Sequence, residues 1–175
     1  MTDDLLESME GAGMRGMEIN TRVIEIVPGE AQATNRWDRL PAKGFPVFGH
    51  GNDDQPEPAH YFIAWNQVQW PQGEPVTPDG IVAALADGRF YASIGVTITR
   101  VGVDGSRQRI VVESDASAIH WVSRAGAYVR KDNGGSAELD VTEVEKNPSS
   151  GLYVRAVCLG CGNAKAWTQP FWVFT

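Results

Sequence analysis

The hydrophobic period changes at Gly88, and that change constrains the fold of this 175-residue chain more than any other feature. Residues 78–87 carry the marks of a short helix. Thr77 can cap it, Pro78 suits its first position, and Ile81, Val82 and Leu85 share an apolar face. Gly88 can take the left-handed conformation that stops it. Beyond that point the pattern is that of strands, and no segment after Gly95 has helical spacing. The runs 96–103, 109–113, 119–122, 127–130, 137–141, 152–158 and 166–174 are short. Turn sequences such as Asp104-Gly105, Asn133-Gly134-Gly135 and Asn147-Pro148 separate them. Strands at this spacing predict an antiparallel sandwich.

The part before residue 76 has a different rhythm. Leu5, Leu6, Met9 and Ala12 predict a helix over 3–12, and Met17 to Asn20 a short strand. A loop follows around Val27-Pro28-Gly29. Residues 30–40 are helix-like, with Trp37 and Leu40 facing inward and Pro41 and Gly44 ending the helix. A buried strand is expected at 45–48, a polar Pro-rich loop at 50–59 and an extended segment at 61–70. Strand, helix and strand in this order are the βα unit of a parallel sheet. The expected organisation is therefore two parts, 1–75 and 76–175, of mixed α+β class.

Charge divides at the same place. Residues 1–75 hold 12 acids against 5 bases, whereas the remainder is balanced, so the whole net charge of −7 lies in front. An acidic front half argues against a nucleic-acid backbone as partner. No apolar run is long enough to cross a membrane, and Met1-Thr2-Asp3-Asp4 is acidic where a secretory signal is basic. These features predict a cytoplasmic protein with no membrane partner.

Two stretches carry a family likeness. Gly16-Met17-Glu18-Ile19-Asn20 matches an apolar-Glu-apolar-Asn strand, and Trp37-Asp38-Arg39-Leu40, Gly44 and Asp53-Asp54 follow it in order. Further on stand Gly88-Arg89-Phe90-Tyr91-Ala92-Ser93-Ile94-Gly95, then Tyr153-Val154-Arg155-Ala156 and Ala166-Trp167-Thr168-Gln169-Pro170-Phe171. In these pieces the chain resembles the PHP (polymerase and histidinol phosphatase) family of metal-dependent phosphoesterases, at the end of the barrel and in an appended β-domain. The resemblance implies the last βα elements of an incomplete α/β barrel followed by an antiparallel β-sandwich. It also implies hydrolysis of a phosphorylated small molecule by a metal-activated water. The family's His-x-His and its middle His and Glu ligands have no counterpart here. Of its last pair, Asp-x-His, Asp54 matches the Asp and Pro56 stands at the His position. A fragment of this kind is expected to be inactive alone. A truncated barrel exposes strand edges, which predicts a second copy or a partner chain over the open edge.

Chemistry-bearing residues concentrate in one loop. His50, Asp53, Asp54, Glu57 and His60 are the ligand types that hold Zn²⁺, Mn²⁺ or Fe, and of these His50, Asp53, Asp54 and His60 are the candidate metal ligands. The same residues also suit a polar loop whose carboxylates cap turns. Cys158-Leu159-Gly160-Cys161 has the spacing of half a zinc knuckle and equally that of a hairpin turn. Trp121, Trp167, Trp172, Tyr128 and Tyr153 suit either a core or a sugar-stacking platform. The platform defines the competing class, a non-catalytic β-sandwich module that binds carbohydrate.

Overall fold

The computed structural model describes residues 4, 8, 9, 11–21, 32–54, 57, 58, 61–104, 108–146 and 153–173. Half of the helix expected over 3–12 lies outside these, and the loop at 27–29 and His60 lie wholly outside them. The described residues form three sheets. The central one has seven strands in the order β3 (Trp65–Val68), β4 (Phe90–Ser93), β11 (Lys165–Thr168), β10 (Tyr153–Leu159), β7 (Ala118–Ser123) and β8 (Ala127–Asn133), with β12 (Phe171–Trp172) also on β10. A second sheet is β5 (Ile98–Val103), β6 (Arg109–Ser114) and β9 (Ser136–Asp140). Every pairing in both is antiparallel. The third sheet is a single parallel pair, β1 (Gly16–Thr21) with β2 (Phe48–Asn52), joined through α1 (Thr34–Ala42).

The central sheet is covered on both faces. On one, Tyr91, Ile119, Trp121, Val154, Ala156, Cys158 and Ala166 pack against Ile98, Ile110, Val112 and Leu139 of the three-stranded sheet. On the other, Ala92 and Trp167 pack against Ile19, Trp37, Leu40 and Val47 of the βα unit. Alternation along a strand makes both contacts at once: Ala166 faces one way and Trp167 the other. Such a strand has no polar face, which is why 153–158 is almost continuously buried. In the outer sheet, charges take the solvent side, where Arg100 meets Glu113 at 3.0 Å and Arg109 meets Glu138 at 3.7 Å.

The barrel expectation is overturned here. The chain is mostly β with antiparallel sheets and resembles a β-sandwich, not the end of an α/β barrel. Two parallel strands exist among the described residues, and the far edge of β2 meets side chains rather than another strand. Gln169 Oε1 accepts from Gly49 N at 2.8 Å and its Nε2 donates to Gly49 O at 2.9 Å. Asn66 does the same at Gly51, both bonds being 3.0 Å. A primary amide offers the donor and acceptor of a peptide group, so two side chains replace a neighbouring strand. Gly49 also admits close packing, since a Cβ there would lie 2.9 Å from Ile19 Cδ1.

Some elements differ in detail from the sequence reading. The helix α2 (Pro78–Ala86) has Thr77 Oγ1 accepting from Gly80 N at 3.2 Å, and Gly88 turns left-handed at φ +71°. Its buried residue is Ala84, while Val82 is exposed. Phe48 fills the space where a Cβ on Gly88 would sit. A short helix α3 (Val141–Lys146) forms where none was expected. Asp140 Oδ1 caps it by accepting from Thr142 N at 2.9 Å, and Val144 anchors it in the core. Asp140 followed by Glu143 is a capping pattern that marks such a start. The strand expected at 45–48 is shifted to Phe48–Asn52 and runs into the start of the stretch read as loop.

Candidate functional site

Of the sequence-derived metal candidates, Asp53 braces the backbone. Asp53 Oδ1 accepts from Ile63 N (3.0 Å) and Ala64 N (2.7 Å), and Oδ2 from Phe62 N (2.6 Å). Both of its oxygens therefore brace the turn into β3, where Phe62 is held at φ +63°. Asp54 is exposed with φ +47°. His50 is half-buried with its ring 4.6 Å from that of Phe90, and burial pushes its pKa below the usual histidine value. Among the described residues no three His, Cys, Asp or Glu side chains converge as a metal site requires. Both Asp53 oxygens are engaged by backbone amides, and His60, the fourth candidate ligand, lies outside the described residues.

The cysteines part company as well. Cys158 lies in the core of the sandwich and Cys161 is exposed, and both are free thiols. Cys161 lies in the turn after β10, which closes through Gly160 N donating to Ala164 O at 2.9 Å. Of the aromatic residues read as core or platform, Trp121, Trp167 and Tyr153 are buried. Tyr128 is exposed, and Trp172 is half-buried at the edge of a groove.

That groove has a volume of about 650 Å³. It lies between the β3–β4 side of the central sheet and β5. Phe48, Phe90, Tyr91, Phe171 and Trp172 line it together with Gln67, Gln69, Asp87, Arg89 and Arg100. Local structure places each of them. Alternation in the extended segment turns Gln67 and Gln69 outward. The stop of α2 at Gly88 delivers Arg89 and then Phe90, whose ring meets Phe48 edge-on at 6.4 Å. Tyr91 is fixed by its hydroxyl, which accepts from Ile98 N at 3.1 Å, and burial raises its pKa. The break between β11 and β12 carries the chain round to Phe171 and Trp172.

Each arginine of the polar rim is paired with a carboxylate, that of Arg100 lying outside the groove lining. Arg89 faces Asp87 at 3.5 Å, and Arg100 faces Glu113. The Gln67 and Gln69 side-chain amides bond to no other described residue. Sequence reasoning singled out Trp172 and the Arg89–Phe90–Tyr91 run but not the groove itself, because its walls come from five separated stretches. The outward glutamines between inward apolar residues were the available signal.

Comparison with known protein families, curated proteins and solved structures found no match to this chain. Among the described residues no helix is long and apolar enough to cross a membrane.

Proposed function

We propose that this chain is a non-catalytic β-sandwich binding module whose groove takes a neutral carbohydrate. The observation that carries the reading is the combination in one concavity of an aromatic lining, two uncommitted amides and rim arginines each paired with a carboxylate. A pyranose has an apolar C–H face that lies on an aromatic ring, and hydroxyls at its edge that both donate and accept. Gln67 and Gln69 can do both, and the Asp87–Arg89 pair offers an acceptor beside a donor fork. The volume lies in the range that encloses a small ligand. A phosphorylated ligand suits the rim less well, because each guanidinium already faces a carboxylate and little positive charge remains for a dianion.

The test is retention of the purified chain on an array of neutral and phosphorylated sugars. Retention on neutral sugars is expected, with affinity at least about tenfold lower in Arg89→Ala and in Trp172→Ala, a loss of about 1.4 kcal/mol. Arg89 is exposed, so its replacement separates binding from folding. Retention by no sugar, by phosphorylated sugars alone, or undiminished in both variants overturns the reading.

A further inference from the structure

A second concavity lies on the opposite face of the central sheet, beneath the start of α1, with a volume of about 130 Å³. Strand register assembles its floor. Arg155, Val157 and Leu159 share one face of β10, with His120 and Val122 beside them on β7 and Lys165 and Trp167 on β11. Its roof is Gln32, Thr34 and Asn35 at the first turn of α1. Three independent features make it hungry for an anion.

First, Arg155 has 3% of its side chain exposed, and its Nε and Nη2 are spent on Asp38 at 2.7 and 2.6 Å. Its Nη1 is buried without a partner. A buried guanidinium nitrogen left unpaired is costly, so the arrangement calls for an acceptor. Second, α1 has no side-chain cap at Ala33 and no acid in its first turn, so the Thr34 and Asn35 amides lack acceptors. Third, Lys165 donates to Gln32 Oε1 at 3.3 Å and is paired with no carboxylate among the described residues. Asn20 reinforces the picture. It is the last residue but one of β1, its backbone bridges to Gln32 of the pocket roof, and its buried amide also has no partner. Ligands of parallel βα units gather at this end, beyond the strand's carboxyl terminus and at the helix start.

We infer that this pocket binds a small monocarboxylate. Charge decides the class. Asp38 and Arg155 cancel, and the surplus is the one positive charge of Lys165, which matches a single carboxylate better than a phosphate dianion. Burial, helped by Lys131, lowers the His120 pKa, so His120 adds no charge at neutral pH. Carboxylate oxygens can accept from Arg155 Nη1, from Lys165 Nζ and from the helix amides together. The site is independent of the sugar groove, which lies across the sheet.

The experiment is an amide NMR titration with sodium acetate, with sodium phosphate and chloride as separate arms at matched ionic strength. Acetate is expected to shift the Thr34 and Asn35 signals saturably. In Lys165→Met, which keeps an apolar stem and leaves the Arg155–Asp38 pair intact, affinity should fall at least about tenfold. Arg89→Ala, in the other groove, should leave the acetate response unchanged. Equal shifts with chloride, binding of phosphate but not acetate, or an undiminished response in Lys165→Met each overturn the inference.

Discussion

The two faces of the central sheet are held to their neighbours by different chemistry. Toward the three-stranded sheet and α3 the contact is mainly apolar, Ile119, Trp121, Val154, Ala156 and Cys158 against Ile110, Val112, Leu139 and Val144, alongside the bond from Ile98 N to the Tyr91 hydroxyl. Toward the βα unit a smaller apolar cluster around Trp37 and Trp167 is supplemented by directional bonds. Asp38 accepts from Arg155 and from the Tyr153 hydroxyl at 2.8 Å, and the Arg155 guanidinium lies 4.8 Å from the Trp37 ring. Gln169 and Asn66 bond the edge of β2, and Trp37 Nε1 donates to Val47 O at 2.8 Å. The difference is one of tolerance. Apolar packing loses stability in proportion to what is removed, whereas a buried polar tie penalises the loss of one half by leaving the other unsatisfied.

The largest effect should therefore come from Asp38. Replacing it with Ala leaves the Arg155 charge buried and unpaired, and the expected cost is about 3–5 kcal/mol in urea unfolding. Removing both charges, as Asp38→Leu with Arg155→Met, should restore most of that, because a buried pair is worth little net against an apolar pair of similar volume. A cost below about 1 kcal/mol for Asp38→Ala would break the comparison and leave the βα unit held by its apolar cluster alone.

A middle-sized effect is expected at the β2 edge. Gln169→Ala strips the partners from Gly49 N and O, and an unsatisfied buried polar group costs about 1–3 kcal/mol. Asn66→Ala should fall toward the lower end, since its bonds to Gly51 are only partly buried. Faster hydrogen exchange at the Gly49 amide in the first variant and at Gly51 in the second would tie each loss to its own bond. Unchanged exchange in both would mean that the edge is not held by these amides.

This contrast also sets what could be read from the residues. Alternation in β6 and β9, and the turns between strands, follow from the side-chain period and are legible without a structure. So is α2, whose Thr77, Pro78 and Gly88 signals are local. The placement of the βα unit was not legible, because it rests on partners 115–120 positions apart, Asp38 with Tyr153 and Arg155 and Gly49 with Gln169. A strand–helix–strand rhythm says that two strands run parallel, not whether a third joins them. The Asp53–Asp54 loop was ambiguous for a related reason: a carboxylate that braces a turn, as Asp53 does, and one that binds a metal are the same residue type. The groove and the anion pocket were invisible because each gathers residues from strands far apart in sequence.

The smallest effect on stability, and the sharpest on the comparison, concerns the two thiols. Cys161 is exposed, so Cys161→Ser should change stability by no more than about 0.5 kcal/mol. Cys158 lies in the apolar contact, and burial pushes its thiol from 9.0 up to about 11. Because the folded pKa is the raised one, the protonated thiol supports the fold fully below pH 9, and that support is lost as pH rises from 9 to 11. It also makes Cys158 a reporter, since only a thiolate reached by opening of the sandwich reacts. With an alkylating reagent at pH 8, Cys161 should be modified at once and Cys158 only as the sandwich opens. If the two faces are separate units, Asp38→Ala should leave Cys158 nearly as slow as in the parent chain while Gly49 exchange accelerates. Acceleration of Cys158 by the full factor that 3–5 kcal/mol implies, more than about a hundredfold, would show instead that both faces open together. The polar ties would then support the whole sheet, and the division drawn between its faces would fail.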